Sequence, residues 1–151
     1  MSIKIITKNR KARYNYEIIE KIEAGVQLYG TEVKSIRTGR MSVNEAYAVV
    51  TRNELFLLNA NIPEYNFGNI NNHDAFRSRK LLVHKGELRR LIGITKEKGM
   101  ALIPMAVYWK GPWVKVEVGI GKGKKLFDKR QSTKDREWGR EKQRLMKQDF
   151  S

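Results

Sequence analysis

A chain of 151 residues is long enough for one domain around a single buried core and too short for two domains with linkers. Its 31 Lys and Arg against 16 Asp and Glu leave a formal charge of +15, beyond what solubility requires, so an anionic partner is expected, nucleic acid ahead of a membrane surface. The absence of Cys excludes disulfides, thiolate chemistry and zinc-thiolate sites, no stretch approaches the roughly 18 to 20 apolar residues of a membrane span, and MSIKIITKNRKAR lacks the apolar core and cleavage site of a signal peptide; a cytoplasmic location is expected.

The N-terminal stretch reads as a basic knot, with Lys8, Arg10, Lys11 and Arg13 ahead of the first acid at Glu17. In YNYEIIEKIEAGVQL (14–28) the period-two alternation of Tyr14, Tyr16 and Ile18 predicts a strand that bends at Gly25. GTEVKSIRTGR (30–40) predicts a short helix between two glycines. AYAVVTRNELFLLNANI (46–62) is two β-prone runs split by Thr51-Arg52-Asn53-Glu54, a hairpin with a four-residue turn. The Asn-rich segment 65–79 is a loop that ends in a second basic knot, Arg77, Arg79 and Lys80, and two such knots on one surface would form a phosphate-tracking groove. KLLVH is a short strand, and KGELRRLIGI a helix with Leu88, Leu91 and Ile92 on one face. MALIPMAVYW and WVKVEVGI form the closing strand pair around Lys110-Gly111-Pro112, with an edge or bulge at Pro104 and with Val114, Val116, Val118 and Ile120 facing one side. This pattern is mainly β: a small antiparallel barrel of the oligonucleotide-binding type with added short helices and a basic C-terminal tail, divided as a barrel over 1–121 and a tail over 122–151.

Motifs for catalysis are missing. GIGKGKK (119–125) fits neither phosphate-binding glycine pattern, and no H-E-x-x-H, G-x-S-x-G or calcium-loop pattern occurs, so neither an enzyme nor a cofactor is expected. His73 and His84 are too few for a metal site and read as surface or capping residues. Tyr108, Trp109 and Trp113 flank a hairpin turn, where core or rim packing outweighs base stacking. Phe127 differs: set among Lys124, Lys125, Lys129 and Arg130, it has little core to join and is suited to stack on a nucleobase. The tail beyond it carries helix signals over 133–148. Gly139, the repelling Arg136/Arg140 and Arg140/Arg144 pairs, and an apolar face reduced to Trp138, Leu145 and Met146 make that helix weak alone, so it is expected to form on a polyanion.

The runs NRKARYNY, EAGVQLYGTEVKSIRTGR, RSRKLLVHKGEL and GKGKKLFDKR, in this order and spacing, resemble the SsrA-binding protein (SmpB) family over essentially the whole chain. The resemblance implies a monomeric protein without enzymatic activity or small-molecule substrate. Its partners would be transfer-messenger RNA, bound at the tRNA-like domain, and the ribosomes stalled without a stop codon to which that RNA is delivered. It further implies that Asn9, Arg10, Lys11, Arg13, Glu23, Lys80 and Leu82 meet the transfer-messenger RNA. Lys122, Lys124, Lys125, Phe127, Asp128, Lys129 and Arg130 would contact small-subunit ribosomal RNA near the decoding centre. Trp138, Arg144, Leu145 and Met146 would belong to a tail helix in the empty mRNA channel. A general single-strand RNA binder or a ribosomal protein with the same barrel would share the charge but not the preference for a tRNA-like RNA.

Overall fold

Within residues 3–65, 72–97 and 99–124, which the computed structural model describes, apolar alternation lays out the strands. In chain order they and the helices are β1 (Ile3–Lys8), α1 (Ala12–Asn15), β2 (Tyr16–Val26), α2 (Gly30–Arg37), β3 (Tyr47–Thr51), β4 (Glu54–Leu58), β5 (Arg79–Leu82), α3 (Lys85–Thr95), β6 (Met100–Lys110) and β7 (Trp113–Gly123). In β7, Val114, Val116, Val118 and Ile120 are buried while Lys115 and Glu117 stay partly exposed, as the alternation predicts. Every pairing is antiparallel, and the order β6-β3-β4-β5-β2-β7 returns to β6, so a barrel closes with β1 added along β6 beyond its short contact with β3. This is the expected mainly-β antiparallel architecture with short helices.

The turns follow from the residues that form them. Arg52 and Asn53 at the β3–β4 hairpin take φ of 53° and 60°, so Thr51 pairs directly with Glu54 across a two-residue loop. Gly25 is where β2 leaves β7 and takes up β5, being paired with Lys115 on one side and Leu82 on the other. Pro104 sits at a bulge, since the register of β6 against β7 slips between Pro104 and Ala106. That slip, with a second one in β2 between Ile18 and Glu20, gathers Met105, Ile103, Tyr16 and Ile18 around Ala12 of α1 in a small cluster apart from the main core. Gly119 lies beneath this cluster, where a Cβ would come within 2.9 Å of the Met105 side chain.

Four expectations change. The N-terminal segment contributes a strand, β1, which the count of cations concealed; its Ile3 and Ile5 are exposed because it lies at the free edge of the sheet. The strand expected from Tyr14 begins at Tyr16, since residues 12–15 turn as α1. The second run of the expected hairpin stops at Leu58, and Asn59, with φ of 63°, turns the chain away. On α3 the buried face is Leu91 with Leu88 and Ile94 packed on the core, and Ile92 is not part of it. No helix among the described residues is long and apolar enough to cross a membrane.

Candidate nucleic-acid interface

The first basic knot is shaped by Asn9. Its backbone N–H donates to Met105 O at 2.8 Å, its side-chain amide donates to Pro104 O at 3.1 Å, and its Oδ1 accepts from the Lys11 N–H at 3.2 Å. A buried amide thus clamps the end of β1 to the β6 bulge and turns the chain into α1. Ala12 drops into the small cluster, which leaves Arg10 and Arg13 exposed on either side of it. Lys11 points elsewhere, its Nζ 2.9 Å from Glu45 Oε1.

Between this knot and the sheet lies a groove of about 550 Å³. Lys8, Arg10, Arg13 and Lys21 line it over a floor of Met105, Ala106 and Tyr108, with Ile3 and Ile5 on the β1 side. Glu117, the acid that also lines it, lies 3.5 Å from Lys21. A groove with such an excess of cations over a low-dielectric floor concentrates positive potential and suits a phosphate backbone.

Glu23 stands on the same outward face. It accepts a hydrogen bond from the Tyr108 hydroxyl on Oε2, and Lys110 Nζ lies 3.1 Å from its Oε1. The Tyr108 hydrogen bond, followed by Lys110, holds its carboxyl below the usual carboxylate range against the opposing effect of burial. Burial and then Glu23 push the Tyr108 hydroxyl up, so it stays a donor. The carboxylate is therefore ionised and oriented by two side chains, a Tyr and a Lys. Tyr108 carries this role with no sign in the sequence beyond its neighbours in a β-prone run.

Lys80 and Leu82 sit on β5. Leu82, 46% exposed and paired with Gly25, borders a second groove of about 370 Å³ shared with Trp109, Pro112, Trp113 and Lys115. Lys80 Nζ lies 3.5 Å from Glu54. The second basic knot keeps only Lys80 for the outer surface, because the fold ties its two arginines to Glu32. Arg79 is fully buried, its Nε 2.5 Å from Glu32 Oε2 and its other nitrogens donating to Ala60 O and Ala75 O at 2.9 and 3.1 Å. Arg77 Nη2 donates to Glu32 Oε1 at 2.6 Å and stacks its guanidinium 4.0 Å from the Tyr29 ring. Glu32 also accepts from the Tyr29 N–H at 2.7 Å at the start of α2. Burial pushes its carboxyl up, and the bonds from Arg77, Tyr29 and Arg79 more than reverse that, so it lies below the usual range. His73, expected on the surface or at a cap, is instead buried between Ile62 O at 2.7 Å and Thr31 Oγ1 at 2.9 Å. His84 takes the N-cap position of α3.

Lys122 is exposed near the end of β7, and the Lys124 N–H donates to Asn15 O at 2.9 Å. Lys125, Phe127, Asp128, Lys129, Arg130, Trp138, Arg144, Leu145 and Met146 lie outside the described residues, as does the expected tail helix. No group of three or more His, Asp or Glu among the described residues could hold a metal ion.

A family model described as SmpB protein matches residues 6–148. The chain belongs to this family. An SsrA-binding protein of Magnetococcus marinus is 61% identical over 147 residues, covering 97% of this chain and 98% of that protein. One of Nostoc sp. is 52% identical over 147 residues, with 97% and 95% covered. Among solved structures, a chain described under "tmRNA-SmpB: a journey to the center of the bacterial ribosome" superposes with a TM-score of 0.66 at 45% identity, covering 80% of this chain and 85% of its own. The likeness to the family thus covers most of the described barrel.

Proposed function

We propose that this chain binds the tRNA-like domain of transfer-messenger RNA and delivers it to stalled ribosomes in the cytoplasm, acting by binding rather than by turnover. The observation that carries the reading is the outward sheet face on which Lys8, Arg10, Arg13 and Lys21 surround a groove beside an oriented, ionised Glu23. Cations supply affinity for any RNA backbone, and an acid among them repels phosphate. Such an acid is useful where it accepts a hydrogen bond from a base edge or a ribose 2′-hydroxyl, which is how a protein selects one RNA shape over another. The names of the relatives, SsrA-binding proteins, agree with this chemistry.

In this reading residues 1–121 hold the RNA through Asn9, Arg10, Lys11, Arg13, Glu23, Lys80 and Leu82, with Asn9 acting through the path of the backbone. Residues 122–151 meet ribosomal RNA of the small subunit and enter the mRNA channel as a helix, with Leu145 and Met146 as its apolar pair. The chain works as a monomer. A competition assay among transfer-messenger RNA, ordinary tRNA and single strands tests the first half: the expected result is a preference for the tRNA-like RNA, and equal binding of all three would overturn it. Removing residues 131–151 tests the second. RNA affinity is expected to stay within a few-fold while rescue of stalled ribosomes is lost, and a truncated chain that rescues normally would refute the role of the tail.

A further inference from the structure

Trp113 is 63% exposed, the most exposed of the large described hydrophobics together with Ile19. Its place is fixed by a two-residue turn: Lys110 pairs with Trp113 across Gly111, whose φ is 60°, and Pro112. Its indole N–H has no hydrogen-bond partner among the described residues. A large ring exposed to water, with its donor unused, has no role in the core. Trp109, by contrast, is packed against it.

The register shows what surrounds this ring. Across the sheet, Tyr108 pairs with Lys115, Lys115 with Gly25, and Gly25 with Leu82, so these four positions form one row over β6, β7, β2 and β5. Trp113, two residues before Lys115, shares its face by strand alternation, and so does Glu117, which pairs with Glu23. The shelf formed by Trp113 and Leu82 is therefore continuous with the face that carries Glu23 and the basic groove. Gly25 leaves a gap in the row: a Cβ there would lie 3.5 Å from Leu82 Cβ and 3.7 Å from Lys115 Nζ. Lys115 Nζ has no ion pair among the described residues and stands at the rim of this gap.

We propose that this shelf is a stacking site for one unpaired nucleobase of the bound RNA, with the Trp113 indole on the base face, Leu82 beneath its edge and Lys115 on a neighbouring phosphate. The inference rests on the RNA-binding reading above and adds a residue to it that the resemblance does not assign. The occupant follows from charge and shape together: an apolar groove of about 370 Å³ with a bare cation at its rim matches a flat ring carrying a phosphate. An apolar peptide segment would bury that cation and bring no anion of its own.

Full-length protein with Trp113→Ala, Trp113→Phe or Lys115→Gln tests it, each variant titrated with the tRNA-like domain of transfer-messenger RNA and with a fully paired duplex RNA. Trp113→Ala should weaken the tRNA-like RNA by about 5- to 150-fold, the range for loss of a base-stacking aromatic, with the duplex unaffected. Trp113→Phe should restore most of the loss. The slope of log affinity against log salt should be unchanged for Trp113→Ala and shallower by about 0.7 to 0.9 for Lys115→Gln. Thermal unfolding should be unmoved by Trp113→Ala, given the exposure of the ring. The emission of Trp113, taken as the difference between the chain and its Phe variant, should be quenched on binding. Affinity within twofold for Trp113→Ala, equal losses for Ala and Phe, or an emission that RNA leaves untouched would each overturn the stacking site. The unsubstituted chain's preference for the tRNA-like RNA is read in the same titrations, so failure of the broader reading shows there and failure of this inference shows in the variants.

Discussion

Replacing Glu32 by Ala should destabilise the barrel more than any exposed charge reversal. The Glu32 carboxylate is fully buried and joins Arg77, Arg79 and the Tyr29 N–H at the start of α2. Its removal leaves the Arg79 guanidinium, also fully buried, with only backbone carbonyls for company. Breaking one side of a buried ion pair in this way costs about 3 to 5 kcal/mol, because the remaining charge stays desolvated and uncompensated. For a domain of this size about 1 kcal/mol lowers the melting temperature by roughly 2 to 4 °C, so a fall on the order of 10 °C is expected by circular dichroism. Substituting both partners, Glu32→Leu with Arg79→Met, should recover most of the loss, since an apolar pair of similar volume carries no desolvation penalty. The pH dependence has a defined sign. The folded carboxyl lies below its ordinary 4.5, so the unfolded chain takes up the proton first, and the contribution of Glu32 is present above that value and lost as pH falls through the folded pKa. Glu32→Gln should therefore flatten the acid limb of the stability curve. A Glu32→Ala variant that melts within 3 °C of the unsubstituted chain would refute the reasoning, because Arg79 would then not depend on its partner.

Tyr108→Phe keeps the ring and removes the hydrogen bond that most lowers the Glu23 carboxyl, so the acid limb of selective RNA binding should move to higher pH, with Lys110, Lys115, Lys21 and Glu117 left in place around it; superimposable pH profiles would show that Tyr108 does not orient Glu23. Gly119→Ala places a methyl 2.9 Å from Met105 Cγ and Sδ and should cost about 1 to 3 kcal/mol by overpacking, with a favourable coupling to Met105→Ala in a double-mutant cycle of urea unfolding; additive losses would mean that Met105 moves aside freely.

What the sequence disclosed, and what it hid, divides along a physical line. Features set by neighbours in the chain were legible: the alternation of β7, the hairpin turn at Thr51–Glu54, the bulge at Pro104, the helix that carries Leu88 and Leu91. Features set by partners far along the chain were not. Arg77 and Arg79 read as a cationic surface because a count of charges carries no burial, and their partner lies 45 and 47 residues away. β1 went unseen for a related reason: IKIITK is short and holds two Lys, and only its pairing with β6 makes it a strand. Trp113 and Trp109 are alike in the sequence, and the turn at Gly111 and Pro112 alone decides which of them is packed and which is bare.

One of the motifs that carry the family likeness serves the fold rather than the surface. In GTEVKS, Thr31 meets His73, Glu32 meets Arg77 and Arg79, and Ser35 donates to Pro63 O at 2.7 Å, so each polar side chain of the motif ties α2 to the segment that leads into β5. RSRKLL is the other half of the same network up to Arg79, and beyond it Lys80 and Leu82 alternate outward with the buried Leu81 between them. A buried charge of this kind tolerates few substitutions, because removing one partner leaves the other desolvated and uncompensated. The fold consumes Arg77 and Arg79 in this network, and the other cations differ in their company. Lys11, Lys80 and Arg90 each lie against an acid, whereas Arg10 and Arg13 line the groove without one. Lys8, Arg10 and Arg13, without an ion pair among the described residues, gather with Lys21 around one groove, on the sheet face where Tyr108 and Lys110 orient the Glu23 carboxylate; in the proposed function that acid supplies the selectivity that charge alone cannot.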